Sequence, residues 1–325
     1  MRLFEVRGLT IEIIRDGVRH RVIDGVDFTV KRGESVAMVG ESASGKSLIA
    51  MGAIDLLGGG ARVVGGTTVF EGAVLQDLDD ADWRLLVGMG IGVLLQDAMG
   101  SWDPLDVMGY QSGEALQEHT DLPAEEIARR VRDALGEVGL PKGRHFAAYV
   151  HEVSRGQAQR AMLAATLLSA PRLLIADEPL SGLDVTVARA VLDLIDDLRT
   201  KRGMGMLLVT HDLAVVAAVA ERVLVVYGGA IVEDGPVGDL FRRPRHPYTA
   251  GLLGSVPGFS RDRLRPIEGE PPDLWDLPPG CAFAPRCPHA VDRCLTEKPM
   301  LRTLGSSLVA CHRAEELELP GVGAL

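Results

Sequence analysis

The chain has no cysteine before Cys281 in its 325 residues. Its main body is therefore built without disulfides, as expected of a protein kept in a reducing cytoplasm. It also lacks an excess of basic residues. With 34 Lys and Arg against 45 Asp and Glu, its formal charge is -11. A local basic groove is compatible with that balance, but nucleic acid is disfavoured as the main partner. No apolar run reaches the roughly 20 residues a membrane helix needs. The stretch from Ala161 to Ile175 is broken by Pro171 and Arg172, and that from Leu213 to Val232 by Glu221 and Arg222. Both suit buried helix and strand pairs of an α/β sheet. A signal peptide is not expected, because Met1 to Val6 opens directly as a strand. What the chain has in plenty is apolar residues, 46%, ample for a sizeable core, and its 325 residues are enough for one large domain with an appendage or for two domains.

The most informative stretch is Gly40-Glu41-Ser42-Ala43-Ser44-Gly45-Lys46-Ser47, which fits G-x-x-x-x-G-K-[ST]. Ser35 to Val39 before it reads as a buried strand, and Leu48 to Met51 after it as an apolar helix. A strand, a glycine-rich turn and a helix in that order aim backbone N–H groups into a concavity that prefers phosphate. Lys46 would reach the β- and γ-phosphates, and the Ser47 hydroxyl would ligate Mg²⁺. Ala43 stands where a third glycine is common. Alanine fits wherever φ is negative, which predicts slight stiffening rather than loss of binding.

Three strand-like runs precede this loop: Phe4 to Val6, Thr10 to Ile14, and Gly25 to Val30, with turns at Asp16-Gly17 and Lys31-Arg32-Gly33. They read as an antiparallel layer beside the core. Further on, Gly66 to Phe70 is strand-like, Leu78 to Leu86 a short helix, and Gly90 to Leu95 an apolar strand. Gln96 follows that strand, where it would approach a bound metal or an attacking water; taken alone, such a glutamine is more often a plain loop residue. Residues 105–150 read as mostly helical, with Ile127, Val131, Leu135 and Val138 at helical spacing. A helix is expected to end near Ser169. The run Leu173 to Ala176 ends in Asp177 and Glu178. A carboxylate at the end of a buried strand lies near Mg²⁺, and the next residue, on the other side of the strand, is left to act as a base toward water. A helix over Val185 to Leu198 and an apolar strand over Met206 to Thr210 come next, the latter ending at His211. Three apolar strands thus end in polar residues at their C-terminal edges, where parallel sheets bind ligands.

Taken together, the phosphate loop, Gln96, the Ser154-x-Gly156-Gln157 segment, Asp177-Glu178, Asp184 and His211 resemble the ATP-binding cassette (ABC) ATPases over residues 3 to about 240. His246-Pro247-Tyr248-Thr249, Ile267 to Pro272, and Gly280-Cys281-x-Phe283-x-Pro285-Arg286-Cys287-Pro288 resemble the C-terminal extension of the dipeptide/oligopeptide importer ATPases. The resemblance implies a P-loop NTPase of the α/β class with a RecA-like core, an antiparallel β-subdomain and a helical subdomain at about 97–165. The ATP-binding domain would be 1–240 and the loop-rich extension 241–325. It also implies roles. Lys46 and Ser47 hold phosphate and Mg²⁺, with Gln96 and Asp177 toward the metal. Gln96 senses the nucleotide beside a transmembrane partner, Glu178 is the general base, and His211 meets the γ-phosphate. Asp184 lies at a dimer interface, while Ser154, Gly156 and Gln157 contact ATP bound on the opposite subunit. The implied partners are a second ATPase, expected to be a different chain, two transmembrane permease subunits and, indirectly, an extracytoplasmic solute-binding protein, with no nucleic acid. The implied location is peripheral, on the cytoplasmic face of the cell membrane.

The sequence departs from the family pattern at four places. Arg155 replaces a glycine of the signature, Ile13 stands where an adenine-stacking aromatic is usual, Ala98 replaces a proline, and Ala43 replaces the loop glycine. Arg155 would obstruct phosphate, pair with it, or point to solvent. An asymmetric pair of ATPases, one site slower than the other, is one expectation; a catalytically weak structural or regulatory subunit is the alternative. A soluble cassette protein of translation or repair fits less well, since those carry two cassettes or large insertions.

Cys281, Cys287, Cys294 and Cys311 follow C-x5-C-x6-C-x16-C in a Pro- and Gly-rich segment with little core of its own, the kind that usually needs a staple. Four thiolates match a [4Fe–4S] cluster. Zinc is an alternative, although the tight knuckle spacing is missing. The resemblance favours the cluster, which some members with this tail carry.

Overall fold

A computed structural model describes residues 2–257, 259 and 266–322. The chain forms two compact units that interleave in sequence. One holds Val30–Glu34, Phe70–Leu208 and the chain up to Phe4; the other holds Glu5–Thr29, Ser35–Val69 and the chain from Val209 onward. The extension and the phosphate loop thus belong to the same unit.

The unit of the phosphate loop begins with a hairpin of β1 (Arg2–Arg15) and β2 (Val18–Lys31). Asp16 and Gly17 join them with φ of 51° and 78°, the twist a two-residue hairpin turn requires. The sequence suggests two separate strands before this turn, but the backbone runs through as one, with Gly8 at φ 62°. In β2, Val26 and Phe28 alternate with exposed residues, and their side chains are buried. After β3 (Ser35–Val39) and α1 (Lys46–Gly52), β4 (Ala61–Phe70) returns beside β1, and β5 (Ala73–Val74) extends that sheet.

From Phe70 the chain crosses to the other unit, and from Val209 it returns. The remaining strands are β6 (Ile91–Leu94), β7 (Leu173–Asp177), β8 (Gly205–Thr210), β9 (Arg222–Tyr227), β10 (Ala230–Pro236), β11 (Arg302–Leu304) and β12 (Ser307–Val309). β3 is buried at every residue and pairs in parallel with β9. β10 turns back on β9, and β12 pairs antiparallel with β10 through Glu233 opposite Val309. β11 closes this edge. The extension is therefore not a loose appendage, since it adds two strands to the sheet that carries the phosphate loop. One core joins them: Val39 of β3, Val225 and Tyr227 of β9, and Tyr248 and Phe283 of the extension. Tyr227 and Tyr248 have ring centroids 4.4 Å apart, and Phe283 meets them at 5.2 and 5.4 Å. Each such ring contributes roughly 1.5–3 kcal/mol by burial.

In the other unit β6 and β7 are parallel, Leu94 opposite Ala176, and β8 follows β7 in the sheet order. Its helices are α2 (Asp80–Leu85), α3 (Met108–His119), α4 (Ala124–Glu137), α5 (Lys142–Phe146), α6 (Arg155–Leu168) and α7 (Val185–Arg202). Ile127, Val131 and Leu135 of α4 are buried on one face, as their spacing predicts. After β8 come α8 (Leu213–Val219), α9 (Val237–Arg242), α10 (Pro247–Gly254) and α11 (Asp292–Thr296). Among the described residues no helix is long and apolar enough to cross a membrane.

Candidate functional site

Gly40 to Ser47 wrap around Lys46. Its side chain is buried, and Nζ donates to the carbonyls of Gly40 at 2.9 Å and Glu41 at 2.8 Å. A side chain at Gly40 would strike the Val226 carbonyl and come within 2.8 Å of Ser44 Oγ. Ser44 Oγ is itself buried without a hydrogen-bond partner among the described residues. Gly45 has φ 102°, and a Cβ there would meet Ile23 and Gly229 at 3.0 and 3.2 Å. The Gly229 N–H donates to the Ser44 carbonyl at 2.9 Å. A backbone cradle with a buried cation and an orphaned hydroxyl fits a polyphosphate, which supplies acceptors in the place of the loop carbonyls. The reading of Ala43 needs correction: its φ is +62°, not negative. Here alanine occupies the left-handed region at a cost of about 1–2 kcal/mol, where glycine would sit without strain.

The loop is clamped by the extension. Arg286 Nη1 and Nη2 donate to the two carboxylate oxygens of Glu41 at 2.6 and 3.0 Å, and Nε donates to the Glu268 carbonyl at 2.9 Å. The Glu41 N–H donates to Tyr248 OH at 2.7 Å. The Arg286 side chain is only 5% exposed, and the Glu41 carboxylate holds its guanidinium even further above the usual arginine range. Sequence reasoning assigned Arg286 and Tyr248 no role toward the loop. They lie more than 200 positions away in the chain, and no spacing rule connects them to it.

In the other unit, the strand that ends in carboxylates forms as expected. Asp177 is the last residue of β7 and is buried; Glu178 is half-buried. Glu178 is not turned by strand alternation, because β7 stops before it. Its φ is +48°, a left-handed conformation rare for a side chain of this size. Gln96 is exposed just past β6. Ser154 and Gln157 form a reciprocal cap on α6: Ser154 Oγ accepts from the Gln157 N–H at 3.3 Å, and Gln157 Oε1 accepts from the Ser154 N–H at 2.9 Å. Gly156 lies against Leu183, and the stem of Arg155 lies over Gly182. Arg155 is exposed and meets the Ser181 to Asp184 turn at Gly182. Asp184 caps α7 by accepting from the Val187 N–H at 3.0 Å. His211, in the unit of the phosphate loop, is exposed just past β8 and precedes Asp212, the cap of α8. The segment Ser154 to Gln157 and the turn Ser181 to Asp184 are thus brought together within one unit, and the extension and the phosphate loop within the other.

The four cysteines border one cavity of about 20 Å³, with His246, His289 and His312. All four are free thiols. Burial pushes Cys281, Cys287 and Cys311 up, Cys287 to about 11, and mutual repulsion of the thiolates adds to it. A cavity of that size has room for about one water. No group of three or more His, Cys, Asp or Glu among the described residues is placed to hold a metal ion. The donor set has the chemistry of a cluster ligand shell, but a preformed iron–sulfur or zinc site, expected from the sequence, is not found.

A buried strand, a glycine cradle around a buried lysine and the helix that follows it are the architecture of a P-loop nucleotide-binding protein. The ABC transporter family model matches residues 23–181, and the model of the oligopeptide/dipeptide transporter C-terminal region matches residues 232–294. The dipeptide transport ATP-binding protein DppD of Escherichia coli is 38% identical over 316 residues, covering 96% of this chain and 97% of that protein. The oligopeptide transport ATP-binding protein AppD of Bacillus subtilis is 40% identical over 319 residues, covering 97% of both. Among solved structures, the ATP-binding cassette MJ0796 in a post-hydrolysis state bound to ADP and Pi matches with a TM-score of 0.65 and 24% identity, over 72% of this chain and 98% of that one. This last likeness speaks for the fold alone. The chain belongs to the ABC transporter family, as one of its ATP-binding, ATP-hydrolysing proteins.

Proposed function

We propose that this chain is the ATP-hydrolysing subunit of an ABC importer for peptides or a related small solute. The observation that carries the reading is the cradle of Gly40 to Ser47 around buried Lys46, tied by Arg286 to an extension of the oligopeptide/dipeptide type. The transport named for DppD and AppD supports the cargo class. The chain acts at the cytoplasmic face of the membrane, with two transmembrane permease subunits and a second ATPase that is a different chain. A solute-binding protein outside the membrane selects the cargo. Residues 1–240 work as the ATP-binding domain, with a helical subdomain at about 97–165 and with Gln96 abutting the permease, and 241–325 as the extension.

Lys46 exchanges its loop carbonyls for the β- and γ-phosphates of ATP, and Gly40, Glu41, Ser42, Ala43, Ser44 and Gly45 supply the backbone cradle. Ser47, Asp177 and Gln96 hold Mg²⁺, which neutralises developing phosphate charge when bound. Glu178 takes the proton of the attacking water, and His211 holds the γ-phosphate. Ser154, Gly156 and Gln157 contact the ATP of the partner ATPase, and Asp184 lines that dimer interface. The four cysteines are the ligands of a [4Fe–4S] cluster; the support is four free thiols around one cavity, which must widen to admit it. Iron and sulfide analysis of anaerobically purified protein tests this, and a colourless, iron-free protein overturns it.

The deciding experiment is Mg-ATP hydrolysis by wild type and Glu178→Gln, alone and with the partner ATPase and permease subunits. Activity that appears in the complex and collapses with the substitution is expected. No hydrolysis in either setting, with ATP still bound, would instead establish a structural subunit.

A further inference from the structure

A cavity of about 290 Å³ adjoins the phosphate loop. Ala43 to Leu48 form one side; Ile13 of β1 and Pro272 to Trp275 of the extension form the rest. Away from the loop its walls are mainly apolar: Ile13, Pro272, Leu274 and the indole of Trp275. Trp275 is the one aromatic residue on this cavity, and it remains 41% exposed. An indole left open beside a polar cradle is an unusual surface feature, because tryptophan contributes most when its faces are covered. The ring is nevertheless held. The Arg15 guanidinium lies 4.2 Å from its centroid, a cation–π contact that fixes the plane. Arg15 is two residues along β1 from Ile13, so the same strand face supplies the brace for the ring and an aliphatic wall for the cavity. Arg15 does not itself border the cavity. Pro271 and Pro272 stiffen the approach to the indole.

We infer that Trp275 is the base-binding residue of this nucleotide site: its indole stacks on the adenine of an ATP whose phosphates occupy Gly40 to Ser47. The inference rests on the nucleotide reading above and adds the residue that recognises the base. β1 offers the cavity only Ile13, which has no π face. The extension compensates by delivering an aromatic from 262 positions further along the chain. This gives the extension a part in nucleotide recognition separate from any role of its cysteines.

The test is equilibrium binding of Mg-ATP and of inorganic tripolyphosphate by the full chain, as wild type, Trp275→Ala, Trp275→Phe and Lys46→Ala. Loss of a base-stacking ring weakens binding roughly ten- to a hundredfold. Trp275→Ala is expected to lose that factor for ATP and nothing for tripolyphosphate, whereas Trp275→Phe keeps most of the ATP affinity. Lys46→Ala loses both probes. ATP should also quench tryptophan emission in the wild type and much less in Trp275→Phe, where only Trp83 and Trp102 remain. If Trp275→Ala binds ATP as tightly as wild type, or loses both probes equally, the inference is wrong while the nucleotide reading stands. If wild type binds no ATP, both are wrong.

Discussion

Replacing Arg286 by methionine removes the clamp between the extension and the phosphate loop while roughly keeping its volume. Arg286 is 5% exposed and Glu41 25%, so the pair is well shielded but not sealed. Breaking a fully buried pair costs about 3–5 kcal/mol, because the surviving charge is stranded. Glu41 retains some access to water, which lowers the loss to roughly 2–3 kcal/mol, near that of one or two charge-assisted hydrogen bonds. The carbonyl of Glu268 also loses its donor at 2.9 Å. For a chain of 325 residues the expected fall in melting temperature is roughly 3–5 °C. ATP affinity should fall too, since a released Glu41 carboxylate lies within the phosphate cradle. Calorimetric melting of wild type, Arg286→Met, Glu41→Gln and the double variant gives the pairwise coupling directly. A coupling of about 2 kcal/mol is expected. A value under about 0.5 kcal/mol, with unchanged ATP affinity, would refute the claim that the extension holds the loop. Lysine at 286 should recover only part of the loss, because it lacks the planar fork.

Other substitutions probe separate parts of the molecule. Ala43→Val should destabilise the apo protein by about 1–2 kcal/mol, because a β-branched residue tolerates φ of +62° worse than alanine; Ala43→Gly should not destabilise it. Thermal melts settle both. Burial pushes the Glu233 carboxyl up to about 7, against the hydrogen bonds it accepts from the N–H groups of Arg245 and His246. Its folded pKa exceeds its unfolded one, so the associated stability is present below the usual carboxylate range and is lost as pH rises through about 7. The loss amounts to about 3 kcal/mol, and Glu233→Gln should flatten the fall in melting temperature between pH 5 and 8. Arg155→Gly uncovers the turn at Gly182 and should change ATP turnover of the assembled complex severalfold; unchanged turnover would mean that Arg155 is a solvent-exposed bystander.

Much of this molecule could be read from local pattern. The phosphate loop, the buried strand before Asp177 and the helix carrying Ile127, Val131 and Leu135 all depend on residues within a few positions of one another. Backbone propensity, periodicity and capping act over that range, so sequence is enough to place them. Even locally, two dihedral angles escaped. Ala43 and Glu178 adopt positive φ, which no rule of composition favours for either residue, and only the surrounding packing can impose it. The remainder was a matter of contacts between distant segments. Glu41 meets Arg286 across 245 positions, β12 finds β10, and Trp275 comes to the cavity that Ile13 leaves without an aromatic. A cysteine spacing likewise specifies four donors but not the room between them. The sequence by itself determined the chemistry available, a phosphate cradle and paired carboxylates. Tertiary structure decided which distant side chains complete it, because only the closing of the core brings those segments within reach of a hydrogen bond or a ring contact.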